Sequence, residues 1–195
     1  MLRCVIRWSR PSDAELARFV ASERDRPLSY DARALAEEHA PPGWDLDHHR
    51  ARLGIGGATF ERACTALRSW AQFDLGWVDV FPRTTPIAAG ACVAVSVRFA
   101  GLLFVNSARI VRVVDDQRPF RRFGFAYGTL PAHVERGEER FTVEFDPGSG
   151  EVWYDLRARS RPGRLWMRLG RPWVRRLQAR FAADSMAAMQ RATSG

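Results

Sequence analysis

The stretch FGFAYGTLPAHVERGEERFTVEFDPGSGEVWYDLRARSR, residues 123–161, decides the architecture of this 195-residue chain. Within it Phe141, Val143 and Phe145 alternate with Thr142 and Glu144, the period-two pattern of a strand with one buried and one polar face. Pro147-Gly148-Ser149-Gly150 is turn chemistry, and Glu151 to Ser160 forms the next extended run. With Phe120 to Leu130 before them and Glu138 to Asp146 between, three strands are expected. Connections this short suit antiparallel hairpins rather than βαβ crossovers.

Working outward, three more extended runs precede this stretch: Gly76–Phe81, Gly90–Phe99 and Leu102–Asp115. Pro82 to Pro86, Ala100-Gly101 and Asp115 to Pro119 separate them as turns. Upstream again, residues 46–53 read as a strand, followed by Gly54, Gly56 and Gly57. A helix is expected from Ala58 to Phe73, because Phe60, Ala63, Cys64, Leu67 and Trp70 recur at 3-4 spacing. Downstream, Gly163 to Arg191 is helical in pattern. Gly170 and Pro172 interrupt it, so a new helix should start at Pro172, with Trp173, Val174, Leu177, Phe181 and Met189 on its apolar side. Strand, helix, six strands, long helix is the order of an α+β helix-grip fold. That architecture is a seven-stranded curved antiparallel sheet wrapped around a long C-terminal helix, over residues 46–195.

Residues 1–45 read as a short helical N-terminal extension, since they hold too few large apolar residues for a core of their own. Arg3 to Trp8 suits a short strand. Ser12 stands three residues before Glu15, the spacing of a capping box, and opens a helix carrying Leu16, Phe19 and Val20 on one face. Pro27 ends that helix, and Asp31 to His39 suits a second one, stopped by Pro41-Pro42-Gly43.

The formal net charge is +8, and all 30 basic residues are Arg, with no Lys. A total absence of Lys points to coding bias rather than to selection for guanidinium chemistry, so the charge alone does not indicate a nucleic-acid binder. Cys4, Cys64 and Cys92 are odd in number and widely spaced, which excludes a disulfide framework and a zinc site. Arg3 and Arg7 interrupt the apolar start, and no window reaches the roughly 18 apolar residues of a spanning helix. A cytoplasmic protein is expected, with no metal and no cofactor.

The motifs FERA…L..W, GWV.V.P, FGFAYGTLP.H.E.GEERF, VWYD…SRP and VRRLQ.RFA.DS, spread from about Tyr30 to Met189, resemble the uncharacterised protein family 0548, a DUF1990-type domain. That group is similar in turn to the START and birch-pollen-allergen (SRPBCC) superfamily. The resemblance implies the same helix-grip fold and a hydrophobic ligand held between the sheet and the C-terminal helix. It implies no catalytic residue.

Candidate side chains follow from the strands. Trp77, Tyr127, Trp153, Tyr154, Trp173 and Phe181 could wall a cavity between the sheet and the last helix, and Asn106, Arg109 and Arg122 could hold a ligand's head group. Strand parity places Trp153 and Tyr154 on opposite faces, so at most one of them faces inward. The plain alternative is that these aromatics fill a solid core. In LPAHVERGEER, His133 could pair with Glu135 or Glu139 as general acid and base. Its alternative is a solvated loop in which Arg136 and Arg140 pair with Glu138 and Glu139. His48 and His49 point to opposite faces of a strand and cannot share a metal, and His39 has no partner in sequence. GIGG lacks the spacing of a phosphate loop and suits a turn with a helix N-cap.

Arg161, Arg164, Arg168, Arg171, Arg175, Arg176 and Arg180, interleaved with Trp166 and Trp173, suit a solvated face. They could also form a surface for nucleic acid or an anionic membrane. The preferred function is a START-like domain, non-enzymatic or of unassigned activity, that binds a small hydrophobic or amphipathic ligand. An enzyme acting on such a ligand through His133 and Glu139 is the first alternative, and a basic surface module is the second.

Overall fold

A computed structural model describes residues 5–31, 42–163 and 171–194. Strand β1 (Val5–Arg7) leads to helix α1 (Asp13–Glu23), which opens on the expected capping box. The Glu15 N–H donates to Ser12 Oγ at 3.3 Å, and the Ser12 N–H donates to Glu15 Oε2 at 2.9 Å. Strand β2 (Asp45–Ile55) is followed by α2 (Gly57–Arg68). Gly56 caps α2 at φ 88°, in the left-handed region that favours glycine. Then come β3 (Val78–Phe81), β4 (Cys92–Phe99), β5 (Leu102–Asp116), β6 (Arg121–Thr129), β7 (Glu135–Phe145) and β8 (Glu151–Pro162). Helix α3 (Arg171–Thr193) follows. The short helix expected at Asp31 to His39 and the segment 164–170 before α3 fall outside the described residues.

The strands form one antiparallel sheet in the order β2-β8-β7-β6-β5-β4-β3, the seven strands expected. An eighth, β1, comes from the extension. β6 stops at Thr129, opposite Ala108, which leaves the edge of β5 open further along; Val5, Ile6 and Arg7 pair there with Val105, Phe104 and Leu103. α1 lies over the outer face, where Leu16, Phe19 and Val20 pack on Cys92, Ala94, Leu103, Val105, Leu130 and Ala132. Buried Glu23 accepts from Ser107 Oγ at 2.9 Å and from the Ala132 N–H at 3.1 Å. The extension is therefore fastened to the sheet by polar bonds as well as by apolar area.

The inner face carries the main core. α2 contributes Phe60, Ala63, Cys64 and Leu67, and the strands contribute Val93, Ile110, Phe125, Phe141, Val143 and Tyr154. Although its apolar spacing predicts a helix to Phe73, α2 does not run on that far. It ends at Arg68, Trp70 takes a left-handed conformation at φ 60°, and a short 3-10 turn covers Ala71–Phe73. The cause is tertiary. Trp70 is fully buried, its Nε1 donates to the Thr85 carbonyl at 2.9 Å, and its ring meets Phe125 edge-on at 5.0 Å. A continued helix would keep local periodicity and lose those contacts. No helix among the described residues is long and apolar enough to cross a membrane.

Candidate functional site

Side-chain parity on four strands decides what faces α3. Register pairs Asp47 and Glu139 with opposite edges of Ala158, and Tyr127 with Glu139, so these four side chains form one row across the inner face. The adjacent row is His49, Leu156, Phe141 and Phe125. Ala158 is small, so the floor is low between two carboxylates. Over this floor lie Trp173, Val174, Leu177, Gln178, Phe181 and Ala182, one face of the first half of α3. They enclose a cavity of about 330 Å³, with Phe73, Trp77, Val95, Val97, Phe99 and Phe104 among its other walls. The second half of α3 has no such gap: Ser185 Oγ meets Tyr154 Oη at 2.9 Å, and Met189 is fully buried. Trp173 is 59% exposed and also lines the cavity, so the opening is at the start of α3.

The polar end of the cavity is acidic. Tyr127 Oη donates to Glu139 Oε2 at 2.7 Å, and Gln178 Nε2 donates to Glu135 Oε1 at 2.7 Å and to Ser160 Oγ at 3.1 Å. Arg175 grips Asp47 with both terminal nitrogens, at 2.5 and 2.6 Å, and donates to Gln178 Oε1 at 2.9 Å. These bonds also tie α3 to β2, β7 and β8. Burial, reinforced by the neighbouring Glu139 carboxylate, raises Glu135 to about 7, although the Gln178 bond opposes the rise. Burial likewise raises Glu139 to about 7 against the Tyr127 bond, with Asp47 adding to the rise. Tyr127 is pushed well above the ordinary range by burial and then by Glu139.

His133 sits in the turn before β7. Its Nδ1 accepts the Glu135 N–H at 3.0 Å, which assigns the proton of the neutral ring to Nε2, and burial lowers its pKa to about 4. Nε2 has no hydrogen bond among the described residues. Asn106 braces this turn: its Oδ1 accepts the Val134 N–H at 3.1 Å, and its amide donates to the Val95 and Phe104 carbonyls at 3.3 and 3.4 Å.

Of the residues singled out from sequence, Trp77, Asn106, Tyr127, Trp173, Phe181, His133 and Glu139 line the cavity. Four others do not. Arg109 lies on the outer face, where it donates to the Arg24 carbonyl at 2.7 Å and to that of Arg26, so it anchors the end of α1. Arg122, also outer, pairs with Asp116 at 3.3 Å. Trp153 is outer by parity and sits under the Arg50 guanidinium at 4.8 Å. Tyr154 points inward, but into the closed part of the core against Ser185. Asn106 reaches the cavity with its amide already committed to backbone, so it positions the His133 turn and does not offer a free head-group contact.

Sequence reasoning passed over Asp47 and Gln178, whereas Glu135, named as a partner for His133, does line the cavity. In DLDHHRARL the acid faces the cavity on β2 while Leu46, 54% exposed, faces out, an inversion of the usual hydropathy order that the pattern itself does not reveal. His49 lines the cavity, and His48 on the other face lies 2.5 Å from Asp155, so the two indeed serve opposite faces. Among the C-terminal arginines, Arg175 is spent on Asp47, Arg180 pairs with Asp184 at 3.3 Å, Arg176 lies over Trp173 at 5.1 Å, and Arg161 lies over Trp44 at 4.7 Å. Arg164, Arg168, Trp166 and the Arg171 side chain fall outside the described residues, as does His39.

The shifted carboxyls make stability depend on pH. Glu135 and Glu139, ordinarily near 4.5, hold their protons to about 7 in the fold, so their contribution is full below 4.5 and lost as pH rises through 7. His133 acts oppositely: its neutral ring contributes above 6.5 and is lost as pH falls towards 4. Two carboxyls outweigh one imidazole above pH 6. Thermal melts should therefore show a decline in midpoint from pH 6 to 8 that is shallower in the Glu135→Gln/Glu139→Gln variant. An equal slope in both proteins would contradict the assignment.

A family model described as a domain of unknown function (DUF1990) matches residues 29–188. A UPF0548 protein of Dictyostelium discoideum is 33% identical over 203 residues, covering 95% of this chain and 94% of its own length. A UPF0548 protein of Deinococcus radiodurans is 38% identical over 185 residues, covering 88% and 90%. Among solved structures, ginseng major latex-like protein 151 from Panax ginseng is similar with a TM-score of 0.45 and 10% identity, over 78% of this chain and 99% of that one.

Proposed function

The chain belongs to the DUF1990 family of UPF0548 proteins, and from that premise we propose that it binds a small hydrophobic or amphipathic molecule under α3. One observation carries the reading. A helix-grip sheet with ample aromatic side chains leaves about 330 Å³ open beneath the first half of α3, while the second half packs solid. That volume lies within the usual range of ligand pockets, roughly 300–1,000 Å³. Phe73, Trp77, Leu156, Leu177 and Phe181 supply the apolar walls, and Trp173 stands at the mouth. Interiors are otherwise close-packed, so a void of this size lined by rings forfeits dispersion contacts that a ligand restores.

The test is a fluorescence titration with Nile red, a neutral apolar probe, followed by competition with 1-decanol. One saturable site emptied by decanol is expected. Absence of saturable binding overturns the reading. The same observations give a second, enzymatic reading a specific shape. Glu139, half-buried and raised by desolvation to about 7, is matched to proton transfer at neutral pH, whereas His133 is held neutral with Nδ1 engaged. In that reading Glu139 moves the proton and His133 donates a hydrogen bond from Nε2.

A further inference from the structure

We infer that the ligand carries a cationic amine, seated against Glu135 and Glu139, with its apolar body extending under α3. This rests on the cavity being a binding site and adds the chemistry of the head group. The chain has 30 arginines, yet among the described residues none lines the cavity, while Asp47, Glu135 and Glu139 all do. In so Arg-rich a chain, a pocket for a carboxylate or phosphate would have guanidinium groups at hand to use. This one has carboxylates instead.

Charge accounting within the cavity narrows the choice. From β2, Asp47 is neutralised by Arg175 of α3. Asp45 and His49 also stand on the inner face of that strand, and Tyr127 and Tyr154 approach from β6 and β8. His133 stays neutral and supplies no positive charge. Glu135 receives one hydrogen bond from Gln178 and Glu139 one from Tyr127, and no arginine among the described residues pairs with either. An ionised carboxylate has about four acceptor sites, so among the described residues each of the two has sites to spare. Desolvated acids that no described arginine pairs with are costly when ionised, and desolvation is the largest cause of their raised pKa values; Arg175, engaged by Asp47, reaches Glu135 only through its longer-range charge. A primary ammonium offers three donors and one charge, which meets both deficits.

Bulk electrostatics cannot mimic this preference. A net charge of +8 repels a cation and attracts a decanoate, so selection of the amine has to come from the site.

The experiment is Nile red competition with decylamine, 1-decanol and decanoate, below their micelle concentrations, at pH 6 and pH 8. A charge-assisted hydrogen bond supports a preference on the order of tenfold or more for decylamine over decanol at pH 8. Decanoate should be the weakest. The preference should shrink at pH 6, where the glutamates are protonated while an alkylamine, with a pKa of about 10, keeps its charge. In Glu135→Gln/Glu139→Gln the decylamine-to-decanol ratio should fall to about one. Decanoate binding as tightly as decylamine overturns the inference, and so does an amine preference that survives in the double variant. If decanol binds and decylamine gains nothing, only the head-group assignment falls. If none of the three displaces the probe and the probe itself does not saturate, the binding-site reading falls with it.

Discussion

Replacing Trp70 with Ala should destabilise the fold by about 3–5 kcal/mol, the range for truncating a fully buried large aromatic. The ring has no exposed surface, lies 5.0 Å from Phe125 and 5.9 Å from Phe73, and ties the loop at Thr85 to the core through Nε1. Alanine would keep the left-handed backbone at φ 60° and remove the contacts that hold it there. Because a native fold is stable by only about 5–15 kcal/mol, this is a large share of the total. Urea unfolding should show a lower midpoint with an unchanged slope. Trp70→Phe, which keeps a ring and loses the hydrogen bond, should fall between the two. A loss under about 1 kcal/mol for Trp70→Ala would contradict the role given to this residue.

Filling the cavity should abolish binding without unfolding the protein. Ala158 faces the void between Asp47 and Glu139, so the indole of Ala158→Trp would enter the space the ligand is assigned. Ala182 on α3 faces the same space from above, and Ala182→Phe supplies an independent plug. Loss of Nile red affinity by at least roughly a hundredfold is expected in Ala158→Trp, since a site without volume leaves no apolar burial, worth about 25 cal/mol per Å². Overpacking a filled core typically costs about 1–3 kcal/mol, but a side chain entering an existing void gains contacts. The melting midpoint should therefore hold or rise in at least one of the two variants. Both plugged proteins binding the probe as the parent does would place the ligand elsewhere.

Much of the fold was legible because several strands alternate apolar residues on the core side with mainly polar ones on the other. Phe141, Val143 and Tyr154 point in, while Thr142, Glu144 and Trp153 point out, and period two captures that. The Ser12–Glu15 cap and the Gly56 turn were legible for the same reason: each is settled by local chemistry. What local pattern could not supply is tertiary. Helical spacing continues through Trp70 and Phe73, and only their burial against Phe125 and Phe141 explains the break. The place of β1 depends on where β6 ends, more than a hundred residues away.

The site was legible in part. Aromatic walls at Trp77, Tyr127, Trp173 and Phe181 come from strand and helix parity, and His133 and Glu139 from their crowding in one connection. An odd step separates Arg109 from Asn106, so strand parity puts the two on opposite faces and only Asn106 can reach the cavity. Asp47 is not legible from hydropathy, because Leu46 beside it faces out and this part of β2 faces the polar end of the cavity. Gln178 gains its meaning only once α3 is laid across Glu135 and Ser160.

The central claim is that the space under the first half of α3 receives a ligand, and intermolecular nuclear Overhauser effects test it most directly. With methyl-labelled protein and bound decylamine, cross-peaks from the alkyl chain to Val95, Val97, Leu156 and Leu177 are predicted, all of which line the cavity. Cross-peaks to Leu16, Val20 and Leu103, in the apolar cluster under α1 on the opposite face of the sheet, would contradict the account.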